Sequence, residues 1–243
     1  MDFSNIRRGS TVLLHSSFSR INREHRWRPD QFIDKLLERL GGEGTLLLPL
    51  FNFEFPKGVA FDIKTTPSQM GALTEAGRTW PSAVRTGHPI YSFAVIGAKA
   101  EMFSHVDNRS GYGSDSPFAM LRDLDGDIAV LDLPDQHSMT FYHHVEEMLE
   151  VDYRFHKEFT GAYTGWDGVP REKSYSIFVR DVDRGVVTSV DRMGELLWSK
   201  GLYRGDRPKQ ASGLRVVSAA ALYDEVASVI RDGKAREYLY DVE

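Results

Sequence analysis

One stretch of the chain concentrates groups able to move protons: His143-His144-Val145-Glu146-Glu147. On a helix, side chains three or four positions apart share a face, so His143 can lie beside Glu146 or Glu147. A carboxylate beside an imidazole raises its pKa and fixes the ring's orientation, which suits a general base. A solvated, charged helix face would show the same spacing. His15-Ser16-Ser17 places hydroxyls directly after an apolar run, where strand ends face the ligand crevice of an open α/β sheet. Serines in such a turn also hydrogen-bond their own backbone. Met70-Gly71 permits close approach of a ligand to the backbone, or simply a tight bend. Arg20, Arg23, Arg26 and Arg28 place four guanidinium groups within nine residues.

Other chemistries are missing their signatures. There is no cysteine, which removes disulfides, cysteine-ligated zinc and a thiol nucleophile together. Neither H-E-x-x-H nor a pair of E-x-x-H helices occurs, so no metal is expected. The elbow G-x-S-x-G is absent, and so is the Walker A pattern. GYGSDS at 111–116 imitates the start of a dinucleotide fingerprint, but its third glycine is missing.

The elements that must position these residues alternate. Thr11–His15 and Thr45–Phe51 are short apolar runs that read as buried strands. Between them Phe32, Ile33, Leu36, Leu37 and Leu40 recur at helical spacing, with Pro29 near the start and Gly41-Gly42 at the close. Ser92–Ala100 and Asp127–Leu133 are further strands. Ser116-Pro117 reads as an N-cap and N1 proline opening a short helix, and Met139–Glu150 reads as the helix that carries the histidines. Tyr175–Val182 and Leu214–Val217 are predicted strands; Asp191–Lys200, capped by Asp191, and Ser218–Arg231 are predicted helices. Gly161–Lys173 reads as a long loop. This alternation predicts an α/β fold with a mixed central sheet flanked by helices, in a single domain over residues 1–243.

Composition sets the outer bounds. The apolar share is 41% and the charged share 27%, ordinary values for a globular protein. No apolar run approaches the roughly 20 residues a bilayer needs, and the first ten residues lack a signal-peptide core. A cytoplasmic protein without a membrane partner is expected. The net charge of −5 argues against a nucleic-acid partner.

Six segments in order say more than any one of them. They are LLHSSFS at 13–19, GEGTLLLPLF at 42–51, TPSQMGALTEAGR at 66–78, AVRTGHPIYSFAVIGAKA at 83–100, GYGSDSPFAML at 111–121 and TFYHHVEE at 140–147. Through them the chain resembles the aminoglycoside 3-N-acetyltransferase family, closely over about residues 8–150 and in outline beyond. The resemblance implies an N-acyltransferase that takes its acyl group from coenzyme A, with acetyl-CoA the expected donor and a small amine the expected acceptor. In the family's T-x-x-H-x-x-E pattern the histidine corresponds to His143 and the glutamate to Glu146; His144 occupies a variable position. The H-S-S and M-G segments imply that Ser16, Ser17, Met70 and Gly71 line the CoA pocket, with Ser116 and Phe118 of the S-P-F segment near it.

Two departures concern the acceptor. Where the family usually has a glycine-containing loop after H-S-S, this chain has Arg20–Arg28. Arg23 and Arg26 are candidates to hold the diphosphate of a nucleotide-linked amino sugar; CoA's phosphates, or solvent, are the other destinations. VDYRFHKEFTG at 151–161 looks more like relatives that acylate amino sugars of cell-surface polysaccharides than like drug-resistance enzymes. Three functions follow: amino-sugar N-acyltransferase, aminoglycoside-modifying resistance enzyme, or a CoA-binding protein without catalysis. With no cysteine and no serine elbow, direct attack within a ternary complex is the expected route.

Overall fold

The computed structural model describes all 243 residues. A seven-stranded sheet forms its centre. Its members are β1 (Thr11–Ser16), β2 (Thr45–Pro49), β4 (Val84–Arg85), β5 (Phe93–Gly97), β6 (Asp127–Leu131), β10 (Arg204–Gly205) and β11 (Leu214–Ser218), in the order β10-β11-β6-β1-β2-β5-β4. β6, β1 and β2 run parallel, while β11 and β5 flank them antiparallel. The sheet is therefore mixed, as the alternating pattern predicts.

Both faces of this sheet are covered, because alternate strand residues point to opposite sides. Leu13 joins one apolar core while its neighbours Val12 and Leu14 join another. The second core is closed by α2 (Pro29–Leu40), which buries Phe32, Ile33, Leu36 and Leu40, and by Leu73 of α3 (Ala72–Arg78). Arg28 caps α2, and Pro29 begins it. The first core takes residues of α5 (Pro117–Asp123), α6 (Phe141–Met148), α7 (Asp191–Ser199) and α8 (Ala219–Arg231). Two short helices, α4 (Ala100–Phe103) and α9 (Ala235–Tyr238), fill in at the margins. Full burial of each large aliphatic side chain stabilises by about 1.5–3 kcal/mol. No helix is long and apolar enough to cross a membrane.

Three readings of the sequence are corrected. The segment 161–173 is mostly not a loop: β7 (Arg154–Thr164) and β8 (Pro170–Arg180) form a hairpin, and β3 (Phe61–Asp62) pairs with β7. Asp191 does not cap α7. Val190 holds that position, and the Asp191 carboxylate accepts the N–H of Gln136 at 2.9 Å. The arginine-rich segment 20–28 begins not as a loop but as a helix, α1 (Ser19–His25), which turns left-handed at Arg26. A two-stranded ribbon of β9 (Val186–Thr188) and β12 (Tyr240–Val242) completes the chain.

Candidate active site

Three-residue spacing on α6 brings His143 and Glu146 together, with Nδ1 2.7 Å from Oε2. The side chain of Glu146 is 1% exposed and that of His143 19%, so the carboxylate lies behind and the ring reaches solvent. The Tyr153 hydroxyl donates to Glu146 Oε1 at 2.9 Å, and Arg154 Nε lies 2.7 Å from Oε2. That guanidinium contact is an ion pair rather than a well-aligned hydrogen bond, because the Nε–H is not directed at the carboxylate. Glu147 turns away and accepts from the Ser110 hydroxyl at 2.7 Å. The glutamate that faces His143 is thus Glu146. His144 is fully buried, with Nδ1 2.7 Å from the Tyr112 carbonyl oxygen.

Electrostatics make the His143 ring a base rather than a cation. Burial pushes its pKa below 6.5 and the Arg154 charge adds to this, while the Glu146 anion opposes them. Burial works against the charge of Glu146 as well. Arg154, the His143 N–H and the Tyr153 hydroxyl together outweigh it and hold the carboxyl below 4.5. The His143–Glu146 contact is therefore a hydrogen bond from neutral imidazole to carboxylate, whose charge Arg154 balances. With Nδ1–H given to Glu146, the tautomer assigned by this network leaves the Nε2 lone pair free.

Behind α6 a second buried network fixes its approach. Asp135 accepts from the hydroxyls of Tyr142 and Tyr203 at 2.6 and 2.7 Å and from Arg215 at 2.9 Å. Arg215 also donates to the Leu133 carbonyl at 2.6 Å, which ties the end of β6 to the start of α6. Gly194 of α7 packs directly on this carboxylate, since a Cβ there would stand 2.5 Å from Asp135 Cγ.

The ends of β1 and β6 open onto a cavity of about 710 Å³ lined by Ser16, Ser17, Arg23, Met70, Gly71 and Leu133, among others. The chain thus brings together the four residues expected at the CoA pocket. The Ser17 N–H bonds the Leu131 carbonyl at 2.8 Å. Neither serine side chain is engaged in any hydrogen bond of the 91 involving side chains. The self-bonded serine turn is accordingly not formed. Gly71 sits at φ 111°, a conformation side chains resist, and a Cβ there would meet nothing within 4 Å. It is both a bend and an opening.

His143 lines a separate cavity of about 390 Å³, with Tyr91, Tyr112, Arg154 and the β7–β8 hairpin. A row of rings connects the two regions. His15, beside Ser16, lies 6.3 Å from Phe51, Phe51 4.8 Å from Tyr91, Tyr91 4.7 Å from Tyr112, and Tyr112 5.4 Å from His143, centroid to centroid.

The remaining candidates fall elsewhere. Ser116 has no exposed surface and accepts from the Ala119 N–H as the cap of α5; Phe118, 1% exposed, packs on Phe93, Tyr112 and Phe141. Side chains without free surface cannot touch CoA, so these two shape the site from within the core. Arg20 is bound to Asp132 and Glu24, and Arg28 to Asp30. Arg23 reaches the Ser16 cavity and not that of His143, and Arg26 lines neither. Reading the chain alone missed Tyr153, Arg154 and Asp135, whose partners are set by tertiary contact. No three His, Cys, Asp or Glu side chains cluster closely enough to hold a metal ion.

Comparison with known proteins gives the family and the fold. The family described as aminoglycoside 3-N-acetyltransferase matches residues 13–231. Aminoglycoside N(3)-acetyltransferase IX of Micromonospora chalcea is 29% identical over 59% of this chain and 57% of its own length. Aminoglycoside N(3)-acetyltransferase III of Pseudomonas aeruginosa is 26% identical over 61% of each. The matched region thus spans less than two thirds of these curated relatives. Among solved structures, AAC-IIIb in binary complex with CoASH superposes with a TM-score of 0.79 at 23% identity, over 93% of this chain and 91% of that one. AAC-VIa bound to sisomicin gives 0.76 at 19% identity, over 94% and 93%. These likenesses show the fold.

Proposed function

Because the chain belongs to the aminoglycoside 3-N-acetyltransferase family, we propose that it transfers an acyl group, acetyl in the first instance, from coenzyme A to the amino group of a small sugar-like acceptor. The observation that carries this reading is the neutral His143 ring held by Glu146, with Nε2 exposed to a cavity. A protein that only bound CoA would need the Ser16 cavity and no buried dyad in a second one. The solved CoASH complex of a relative with this fold supports placing the donor at Ser16, Ser17, Met70 and Gly71. Arg23, exposed at that cavity and free of ion pairs, is suited to a CoA phosphate.

In the reaction the acceptor nitrogen attacks the thioester carbonyl and His143 Nε2 takes its proton. The C–N bond forms, the C–S bond breaks, and the CoA thiolate leaves, to be reprotonated by the imidazolium or water. The hydroxyls of Ser16 and Ser17 are the available donors to the oxyanion or the departing sulfur. The names of the curated relatives make an aminoglycoside the second acceptor class.

Thiol release from acetyl-CoA with a panel of amines tests the activity, and release with no amine in the panel would reject it. Direct attack has its own check. Incubated with acetyl-CoA alone and weighed intact, the protein is expected to show no added acyl mass. A stoichiometric adduct discharged by the acceptor would replace direct attack with a covalent route.

A further inference from the structure

The cavity that holds His143 has an unusual lining for an enzyme whose relatives are named for polycationic drugs. Its walls include Phe155, Phe159, Ile177, Val179 and Val182 of the hairpin region and three cations, Arg154, Lys157 and Arg180, but no carboxylate. Phe155 is 46% exposed and Val182 61%, large values for apolar side chains beside a reacting centre. The charge of Arg154 is matched by Glu146. Lys157 and Arg180 belong to none of the 20 salt bridges. The ladder even sets Arg154 directly opposite Arg180, where like charges disfavour pairing of the strands. Glu146 offsets the Arg154 side of that repulsion, while Arg180 has no carboxylate partner.

Acidic groups do exist nearby, on the other side of β7. Alternate residues of that strand part company: Lys157 lines the His143 cavity, while His156 and Glu158 line another of about 440 Å³ with Asp115, Glu147 and Glu150. His143 does not reach that second cavity. A polycation attracted there would hold its amine away from the base.

We infer that the acceptor is an amine carrying an anionic group, phosphate or carboxylate, on an apolar or aromatic body, and that Lys157 and Arg180 bind the anion while Phe155 and Phe159 pack against the body. This rests on the acyltransfer reading of the His143 cavity. Two cations without a carboxylate partner beside a neutral base favour a ligand whose own charge is negative, through direct pairing and through the local field. The anion also positions the amine: held at a fixed distance by the hairpin, it presents nitrogen to Nε2.

The test compares UDP-glucosamine and 4-aminobenzoate, both anionic amines, with glucosamine, which lacks the anion, and with sisomicin. Binding is read by calorimetry and turnover by thiol release, so that affinity is measured even where no acyl transfer occurs. At least one anionic amine is expected to bind about tenfold or more tightly than glucosamine and sisomicin. Lys157→Gln and Arg180→Gln should each weaken that binding about tenfold while the KM for acetyl-CoA stays within about twofold. Preferential binding of sisomicin would overturn the inference, as would variants that raise the KM for acetyl-CoA alone, which would give these cations to the donor. Tight anionic-amine binding without turnover of any amine would keep the anion site at Lys157 and Arg180 but sink the acyltransfer reading, and with it the ligand's role as acceptor.

Discussion

Turnover is expected to fall about 10²–10⁴-fold when His143 is replaced by alanine, the usual range for loss of a general base. CoA affinity should hold, because the ring lines the hairpin cavity and not the one with Ser16 and Gly71. The pH profile separates this role from mere support of α6. The base works only when neutral, and burial places its pKa below 6.5, so activity should persist below that pH before its acid limb appears. In Glu146→Gln the anion that raises the His143 pKa is gone and Arg154 is left unbalanced beside the ring. The acid limb should then move to still lower pH, with a reduced plateau. An unshifted limb would mean the limb reports some other group. Near-normal turnover of His143→Ala alongside a dead His144→Ala would displace the assignment by one residue.

Acid should unfold this protein at a higher pH than carboxylate titration alone would require. His15, His88 and His144 are all buried. Burial pushes them down to about 3, about 4 and about 4, helped at His15 by the charge of Arg215. At His88, Nδ1 also faces the N–H groups of Ile90 and Tyr91 at 3.3 and 3.0 Å, and protonation there would destroy both bonds. The sign follows directly. Below 6.5 the unfolded chain binds protons at these rings and the folded chain does not, so stability declines as pH falls. Each ring contributes about 1.4 kcal/mol per pH unit, about 4 for the three, against a typical total of roughly 5–15 kcal/mol. Asp135 and Glu147, raised by burial, take up protons in the folded state and offset part of this. Tryptophan fluorescence followed from pH 8 downward should show unfolding centred at about pH 5. A fold intact at pH 4 would contradict the argument, and His144→Gln should make the transition less steep.

The parts of the site that lay in the sequence were those whose partners are neighbours in the chain. His143 and Glu146 are three residues apart on one helix, and β1 with Ser16 and Ser17 is a single apolar run followed by hydroxyls. The hairpin was hidden because β7 shows no alternation to read: only Arg154 and Tyr163, near its two ends, are buried. The arginine cluster misled for the opposite reason. Four like residues in a short span suggested a shared ligand, yet Asp132, which binds Arg20, is 112 positions away and Asp30 lies just beyond the cluster. Ser116 and Phe118 matched a familiar segment whose side chains here serve as cap and core. The main-sheet strands were placed well because continuous apolar runs are what a sheet buried on both faces demands.

The Tyr153 ring, whose hydroxyl holds Glu146, is itself stacked on Tyr240 with centroids 4.1 Å apart. Tyr240 begins β12, a three-residue strand paired only with β9 and exposed over its last two residues. Through Tyr153 the support of Glu146 thus reaches a short, partly exposed ribbon, tied further by the Arg192–Asp241 ion pair. Such pieces open locally at a small fraction of the free energy of global unfolding. Amide exchange at 240–242 should outrun exchange in the central sheet. Heating should silence the proposed acyl transfer some degrees before calorimetry registers the melting of the core, and the loss should reverse on cooling as the ribbon closes again over the tyrosine.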